Sequence, residues 1–217
     1  MHTNLLSFVL TPVRKGAFSW FTPDPAEPWM MVGHLFVRDS GVLFVDPPLI
    51  PGLVEAAVRL GKPEAVLLTT QNHSRASKYI ARKTGVTIYL PEQNENDVDP
   101  REVITIKDFG KYETFNEGKV LGFQVYKFGV DYALLSEEKE LLVGDNAIGD
   151  INGNVLTAPV WFPRETPEEP TDSNYMEFKT MMIKEIKDIV KKSGATSLLP
   201  SHGYDIIGDL KQKVDAL

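Results

Sequence analysis

The chain has 217 residues, of which 42% are hydrophobic and 24% charged, so it has the composition of an ordinary globular protein with a substantial core. Its net charge of −7 argues against nonspecific binding to nucleic acid, and no apolar run is long enough to span a bilayer. The absence of cysteine excludes disulfides, thiolate metal ligands and cysteine nucleophiles.

The amino terminus carries a short apolar run, Leu5 to Leu10, whose nearest basic residues, Arg14 and Lys15, lie behind it. A secretory signal has its basic residues in front of the apolar run. We therefore expect a cytoplasmic protein with no membrane or nucleic-acid partner. The length allows one large domain or two small ones, and we predict a single domain over residues 1–217.

Strands and helices alternate in the first half of the chain. Residues 29–48 contain two β-rich runs joined at Asp39-Ser40-Gly41, which predicts a hairpin that Pro47 and Pro48 end. Further on, we predict helices over 49–60 and 74–84, strands over 65–69 and 86–90, and a polar surface loop over 91–100.

In the second half, β-type runs dominate until a long helix begins. We predict strands at 103–106, 120–128 and 132–136 and in "LLVGDN" and "TSLLPSHG", with helices over 174–193 and 204–216. Residues at helical spacing predict that the first of these helices buries one face: Tyr175, Phe178, Met182, Ile186 and Ile189. This order of elements suggests helices covering two packed sheets.

Polar side chains with metal-binding chemistry follow four of the apolar strands. His73 and His202 each follow a predicted strand, and so do Asp46 and Asp145. Imidazole nitrogen with carboxylate oxygen suits zinc, iron or manganese. The alternative is that these residues only satisfy backbone groups at strand ends. Of the other two histidines, His34 lies within a strand, where a structural role is expected, and His2 lies at the terminus.

Four segments in this order carry a resemblance to a known family: "FVDPP", "TTQNHSRASKYIARKTG", "LLVGDN" and "LLPSHG". From Trp29 to the end, the chain resembles the metallo-β-lactamase fold superfamily. The resemblance implies an α/β (α+β) protein, built as a four-layer αββα sandwich of two mixed β-sheets. It also implies a site along one edge of the sheets, at Asp46, His73, Asp145 and His202.

Most of the family's metal-ligand positions carry other residues in this chain. In the family's H-x-H-x-D-H motif, Gln71 stands at the first histidine, Arg75 at the aspartate and Ala76 at the third histidine. A further histidine ligand is also missing, because no histidine occurs between His73 and His202. The ligand positions that remain are those of His73, Asp145 and His202.

Arg75 argues most strongly against a two-metal hydrolase, because its permanent positive charge would repel a cation at the second metal position. We expect its guanidinium to take that position and to pair with Asp145. Two functions remain: binding of a small-molecule ligand or a partner in the old cleft, or hydrolysis of an ester, thioester or lactone. The first needs no metal, and the second needs one divalent transition metal (zinc, iron or manganese) on His73, Asp145 and His202. A third possibility is an interaction protein whose cleft is closed.

Aromatic residues in two proline-rich loops are candidates for the walls of a pocket. They are Trp20, Phe21 and Trp29 in one loop and Trp161 and Phe162 in the other. The alternative for each is packing in the core. The sequence reveals neither the ligand nor the oligomeric state.

Overall fold

The computed structural model describes residues 10–24, 29–99, 110–160 and 173–217. These residues form two compact units. The N-terminal unit comprises the described residues up to Phe115 except Trp29, and the C-terminal unit comprises Trp29 and the described residues from Asn116 onward. The expectation of a single domain stays a prediction.

The N-terminal unit is built on one seven-stranded mixed sheet. Its strands follow one another across the sheet in chain order: β1 (Thr11–Arg14), β2 (Ala17–Pro23), β3 (Met30–Arg38), β4 (Gly41–Val45), β5 (Pro63–Leu67), β6 (Thr87–Pro91) and β7 (Tyr112–Phe115). The first four strands are antiparallel, and β4 to β7 are parallel. Parallel neighbours need crossover connections, and helices supply the first two of these.

Two helices, α1 (Leu53–Leu60) and α2 (Ser77–Thr84), cover this sheet. Leu53, Ala57 and Ile80 are fully buried against strand residues such as Phe44 and Val66 in one apolar cluster. Both helices begin three or four residues later than predicted. The reason is local for each: Pro51 and Gly52 precede α1, and Arg75, at a φ of 36°, interrupts the helical path before α2.

The C-terminal unit contains a five-stranded mixed sheet in the order β14-β11-β10-β9-β8. The strands are β8 (Gly118–Val120), β9 (Phe123–Phe128), β10 (Asp131–Leu135), β11 (Glu140–Val143) and β14 (Ser197–Pro200). The run predicted as one strand over 120–128 is a hairpin instead, because Leu121 and Gly122 both have positive φ. A separate hairpin joins β12 (Ala147–Gly149) to β13 (Val155–Thr157).

Helices α3 (Ser173–Ser193) and α4 (Leu210–Asp215) complete the C-terminal unit. The predicted apolar face of α3 is confirmed, since Met182, Ile186 and Ile189 are buried and Phe178 packs against the same cluster. That cluster includes strand residues of β9, β10, β11 and β14, so the helix covers the sheet. Helix α4 starts six residues later than predicted, since Gly208 and Asp209 have positive φ.

The prediction of two mixed sheets with helices packed on them is therefore confirmed. The strand predicted at 103–106 lies outside the described residues. None of the helices in the described parts of the chain is both long and apolar enough to cross a membrane.

Candidate functional site

Asp46 stands directly after β4 and is completely buried. Its φ of 43° turns the chain away from the strand. The backbone N–H of Thr69 donates to Oδ1 at 2.8 Å, and the Thr69 hydroxyl donates to Oδ2 at 2.5 Å. The two donors of Thr69 thus hold the carboxylate in a single orientation. The sequence did not predict this role for Thr69.

His73 ends a short 3₁₀ turn, Gln71–His73, that follows β5. Its Nδ1 lies 3.1 Å from Oδ2 of Asp46, and its side chain is 4% exposed. In a neutral imidazole a carboxylate at Nδ1 favours the tautomer with the proton on Nδ1, so the lone pair is on Nε2. Metal-binding histidines are commonly held in this way, with one ring nitrogen on a carboxylate and the other on the metal.

Gln71, at the family's first histidine position, is engaged by other parts of the N-terminal unit. Its Nε2 donates to the carbonyl of Pro91 at 2.8 Å, and its backbone N–H donates to Oε1 of Gln93 at 2.6 Å. Asn72 accepts at 2.8 Å from the backbone N–H of Asp99. The turn that carries His73 is therefore tied to the loop that follows β6.

Arg75 is half-buried, and its Nη1 donates to two backbone carbonyls, those of Val32 and Asp46, each at 2.9 Å. These bonds direct the guanidinium toward the ends of β3 and β4, so the side chain does not simply extend into solvent. The pairing of Arg75 with Asp145, a residue of the other unit, stays a prediction.

The C-terminal unit brings Asp145 and His202 together. Strands β11 and β14 are parallel neighbours with Val143 opposite Pro200, so the residues two positions beyond each strand meet at the same sheet edge. Nε2 of His202 lies 3.2 Å from Oδ1 of Asp145. The His202 side chain is 5% exposed and that of Asp145 is 31% exposed, so a ligand can reach the carboxylate.

Trp29 packs edge-on against the ring of His202, with ring centroids 5.4 Å apart and an angle of 66° between planes. The contact gives this imidazole one apolar neighbour, and the pocket role considered for Trp29 stays a prediction. Trp20 instead has the packing role, because it is 2% exposed and donates from Nε1 to the carbonyl of Pro48.

Of the remaining candidates from the sequence, two lie on described strands and three lie outside the described residues. Phe21 is exposed on β2, and His34 is buried within β3. His2, Trp161 and Phe162 lie outside the described residues. The structure thus unites Asp46 with His73 in one unit and Asp145 with His202 in the other. A cluster of all four stays a prediction.

No protein-family model matches the chain, and no curated protein sequence matches it. Solved structures do match. The crystal structure of the metallo-β-lactamase DIM-1 is 13% identical with a TM-score of 0.62, covering 95% of this chain and 96% of that one. A metallo-β-lactamase from Pontibacter korlensis is 12% identical with a TM-score of 0.61, covering 95% and 94%.

A metallo-β-lactamase family protein from Thermus thermophilus is 18% identical with a TM-score of 0.59, covering 94% of this chain and 79% of that one. At sequence identities this low, the matches are evidence of a shared fold alone. The chain has the metallo-β-lactamase fold, and the predicted resemblance to that superfamily is confirmed at this level.

Proposed function

We propose that this protein binds one divalent transition metal through His73, Asp145 and His202 and uses it to hold a small-molecule ligand. The observation that carries the proposal is the hydrogen bond between His73 Nδ1 and Asp46 Oδ2. It favours the proton on Nδ1 and the lone pair on Nε2, the arrangement common among metal-binding histidines.

The donor set fits such an ion. Each of the three side chains offers one ligand atom, an imidazole nitrogen or a carboxylate oxygen. This combination suits zinc, iron or manganese. Three protein ligands leave a coordination position open for a small molecule, and Trp29, packed on His202, offers that molecule an apolar surface.

A second metal does not fit the same chain. Gln71 is engaged by Pro91 and Gln93, Ala76 has no donor atom, and Arg75 carries a permanent positive charge. These residues occupy the family positions that would hold the other ligands. The proposal is therefore limited to one ion.

Hydrolysis of an ester, thioester or lactone is the second candidate function. It is favoured by the number of protein ligands, because catalytic zinc sites generally have three, with the fourth position left for water or substrate. When bound, the metal would supply Lewis acidity at that position. For this function the roles of Asp46, His73, Asp145 and His202 do not change.

Metal analysis of the purified protein tests the proposal directly. Apoprotein is incubated separately with Zn²⁺, Mn²⁺ and Fe²⁺, desalted, and measured by inductively coupled plasma mass spectrometry. We expect about one ion per chain, lost in His73→Ala, Asp145→Asn and His202→Ala and retained in His34→Gln, which also removes an imidazole. Wild-type protein with no stoichiometric metal would show the proposal to be wrong.

The two candidate functions are separated on the metal-loaded protein. Acetohydroxamate, a small chelating probe, is titrated into the Co²⁺ form while the visible absorption of the metal is followed. A spectral change shows an open coordination position. Turnover of a panel of esters, thioesters and lactones that is lost in His73→Ala selects the hydrolase, and probe binding without turnover selects the ligand-binding protein.

A further inference from the structure

Arg75 joins the ends of two neighbouring strands through a single nitrogen. Its Nη1 donates to the carbonyl of Val32 in β3 and to that of Asp46, directly after β4, at 2.9 Å in each case. Hydrogen bonds from a charged donor are stronger than those between neutral groups. The guanidinium therefore holds the backbone of Asp46 in place relative to β3.

The backbone of Asp46 needs this restraint because of its conformation. A φ of 43° is uncommon for a residue with a side chain, and it persists only where the surroundings enforce it. The N–H of Asp46 donates to the carbonyl of Leu67 at 3.1 Å, its carboxylate accepts from Thr69, and its own carbonyl accepts from Arg75. The hydrogen bonds thus restrain the residue on its amide, carbonyl and side-chain sides.

The orientation of the Asp46 side chain depends on this backbone conformation. Rotation about the Asp46 backbone would move the carboxylate away from Nδ1 of His73, which it now meets at 3.1 Å. We propose that Arg75 is a positioning residue for His73: it fixes the carbonyl of Asp46 and thereby aims the carboxylate at the imidazole. The effect on the imidazole requires no metal; only the effect on metal affinity rests on the proposed function.

This role is separable from the general attachment of α2 to the sheet. The backbone N–H of Ala76 donates to the carbonyl of Pro47 at 2.9 Å, and that bond does not involve the Arg75 side chain. A substitution at Arg75 therefore removes the bonds to Val32 and Asp46 and leaves a neighbouring backbone bond that holds the start of the helix.

The first test reads the tautomer of His73 in the apoprotein by ¹H–¹⁵N NMR of the imidazole nitrogens, assigned with His73→Ala. Spectra are recorded over a range of alkaline pH, and the tautomer is read where the ¹⁵N shifts of the ring no longer change with pH. We expect the Nδ1–H form in the wild type and a mixture of both tautomers in Arg75→Ala. Arg75→Lys, which keeps a charged donor, should recover most of the wild-type pattern.

Arg82→Ala is the matched control, because it removes an arginine from the exposed face of the same helix. It should leave the tautomer unchanged. Arg75→Gln is a second variant with the same expected effect as Arg75→Ala, so the comparison does not depend on one substitution being folded. A wild-type His73 pattern in Arg75→Ala or Arg75→Gln overturns the proposal.

Zinc affinity, measured by competition with a chromophoric chelator, supplies the second readout. Loss of a residue that orients a metal ligand costs about 10- to 100-fold in affinity, and Arg75 acts one contact further away, so we expect a loss of about tenfold. If the wild type binds no zinc, the proposed function fails, whereas the tautomer measurement still decides the role of Arg75.

Discussion

Asp46 makes the contacts on which the candidate site in the N-terminal unit depends. It accepts two hydrogen bonds from Thr69 and lies against Nδ1 of His73, and its side chain is completely buried. An ionised carboxylate has only acceptor atoms, so it can satisfy three donors at once. The amide of asparagine has nearly the same shape as the carboxylate but only one oxygen. Asp46→Asn therefore removes the negative charge and one acceptor atom while it keeps the packing.

Asp46→Asn should therefore weaken metal binding while the fold is kept. The amide nitrogen takes the place either of Oδ1, where it meets the backbone N–H of Thr69, or of Oδ2, where it meets the Thr69 hydroxyl and Nδ1 of His73. In the second arrangement it donates to Nδ1 and drives the proton onto Nε2, the intended metal ligand atom. We expect zinc affinity to fall about 10- to 100-fold and stability to fall by about 1–3 kcal/mol. Isothermal titration and urea unfolding measure the two effects.

Asp39→Asn is the control for this prediction, since Asp39 is exposed in the β3–β4 turn of the same unit. Its zinc affinity and stability should equal those of the wild type. An Asp46→Asn protein that binds zinc as the wild type does would remove the argument that Asp46 orients His73.

At the residue scale the sequence predicted which side chains belong to the site, but not how they pair. Asp46 and His73 were candidates because each follows an apolar strand. Their contact depends on the positive φ of Asp46 and on the two donors of Thr69, and neither follows from strand periodicity. The sequence pattern also does not predict that the Arg75 side chain donates to the backbone carbonyls of Val32 and Asp46.

The β12–β13 hairpin supports His202 from the neighbouring chain segment. The backbone N–H of Tyr204 donates to the carbonyl of Gly149 at 2.9 Å, two residues beyond His202. A Cβ atom on Gly149 would lie 2.2 Å from the carbonyl oxygen of Tyr204. Since backbone atoms form both sides of this contact, no side chain can rotate to relieve it.

Gly149→Ala should therefore displace the segment that carries His202. We expect a loss of stability of about 1–3 kcal/mol, as in other overpacked positions, together with weaker metal binding. Gly110→Ala is the matched control, because its Cβ would approach no atom closer than 3.9 Å. Thermal unfolding and zinc titration of both variants provide the comparison, and equal behaviour of the two would contradict this account of the hairpin.

Asp150 organises the turn of the same hairpin. Backbone and side-chain hydrogen bonds from Asn154, followed by weaker ones from Asn152, hold the pKa of its carboxyl below the ordinary value of 3.8. A group with a lowered folded-state pKa stabilises the fold above its unfolded pKa, and this contribution disappears as the pH falls through the folded value.

The amide N–H resonances of Asn152 and Asn154 should therefore move as Asp150 is protonated, with a midpoint below pH 3.8. Two-dimensional NMR across an acid titration measures this. In Asp150→Ala the resonances should be displaced at every pH. A wild-type midpoint above 3.8 would contradict the stated direction of the pKa shift.

At the element scale, long periodic segments were predictable and short or interrupted ones were not. The apolar stripe of α3 predicted both its extent and its buried face. Strands β1 and β7 are only four residues long and half or more exposed, so their sequences carry little alternation. Helix starts were predicted too early wherever a residue with positive φ stood before the first turn, as Gly52 and Asp209 do.

On the scale of the whole molecule, each unit has its own sheet and its own apolar cluster. The proposed metal ligands come from both units, with His73 in the N-terminal one and Asp145 and His202 in the C-terminal one. An ion that binds the folded chain and not the unfolded chain stabilises the fold by mass action.

Zinc should therefore raise the melting temperature of the apoprotein. At a free concentration about 100 times the dissociation constant, the free energy of unfolding rises by about 2.7 kcal/mol. The increase should shrink at acid pH, because protons compete with the metal for the imidazole nitrogens. Differential scanning calorimetry with and without a chelator measures it, and an equal increase in His73→Ala would assign the zinc to another place.

The hydrogen bonds of Gln71 bear on whether a two-metal site could be introduced into this chain. Its amide donates to the carbonyl of Pro91, so a histidine there would first forfeit that contact, at about 1 kcal/mol. An aspartate at position 75 would place a second negative charge near the Asp46 carbonyl, which now accepts from a cation. Neither single step yields a complete ligand set, and each weakens the folded protein. A two-metal site could therefore be introduced into this chain only by several simultaneous substitutions.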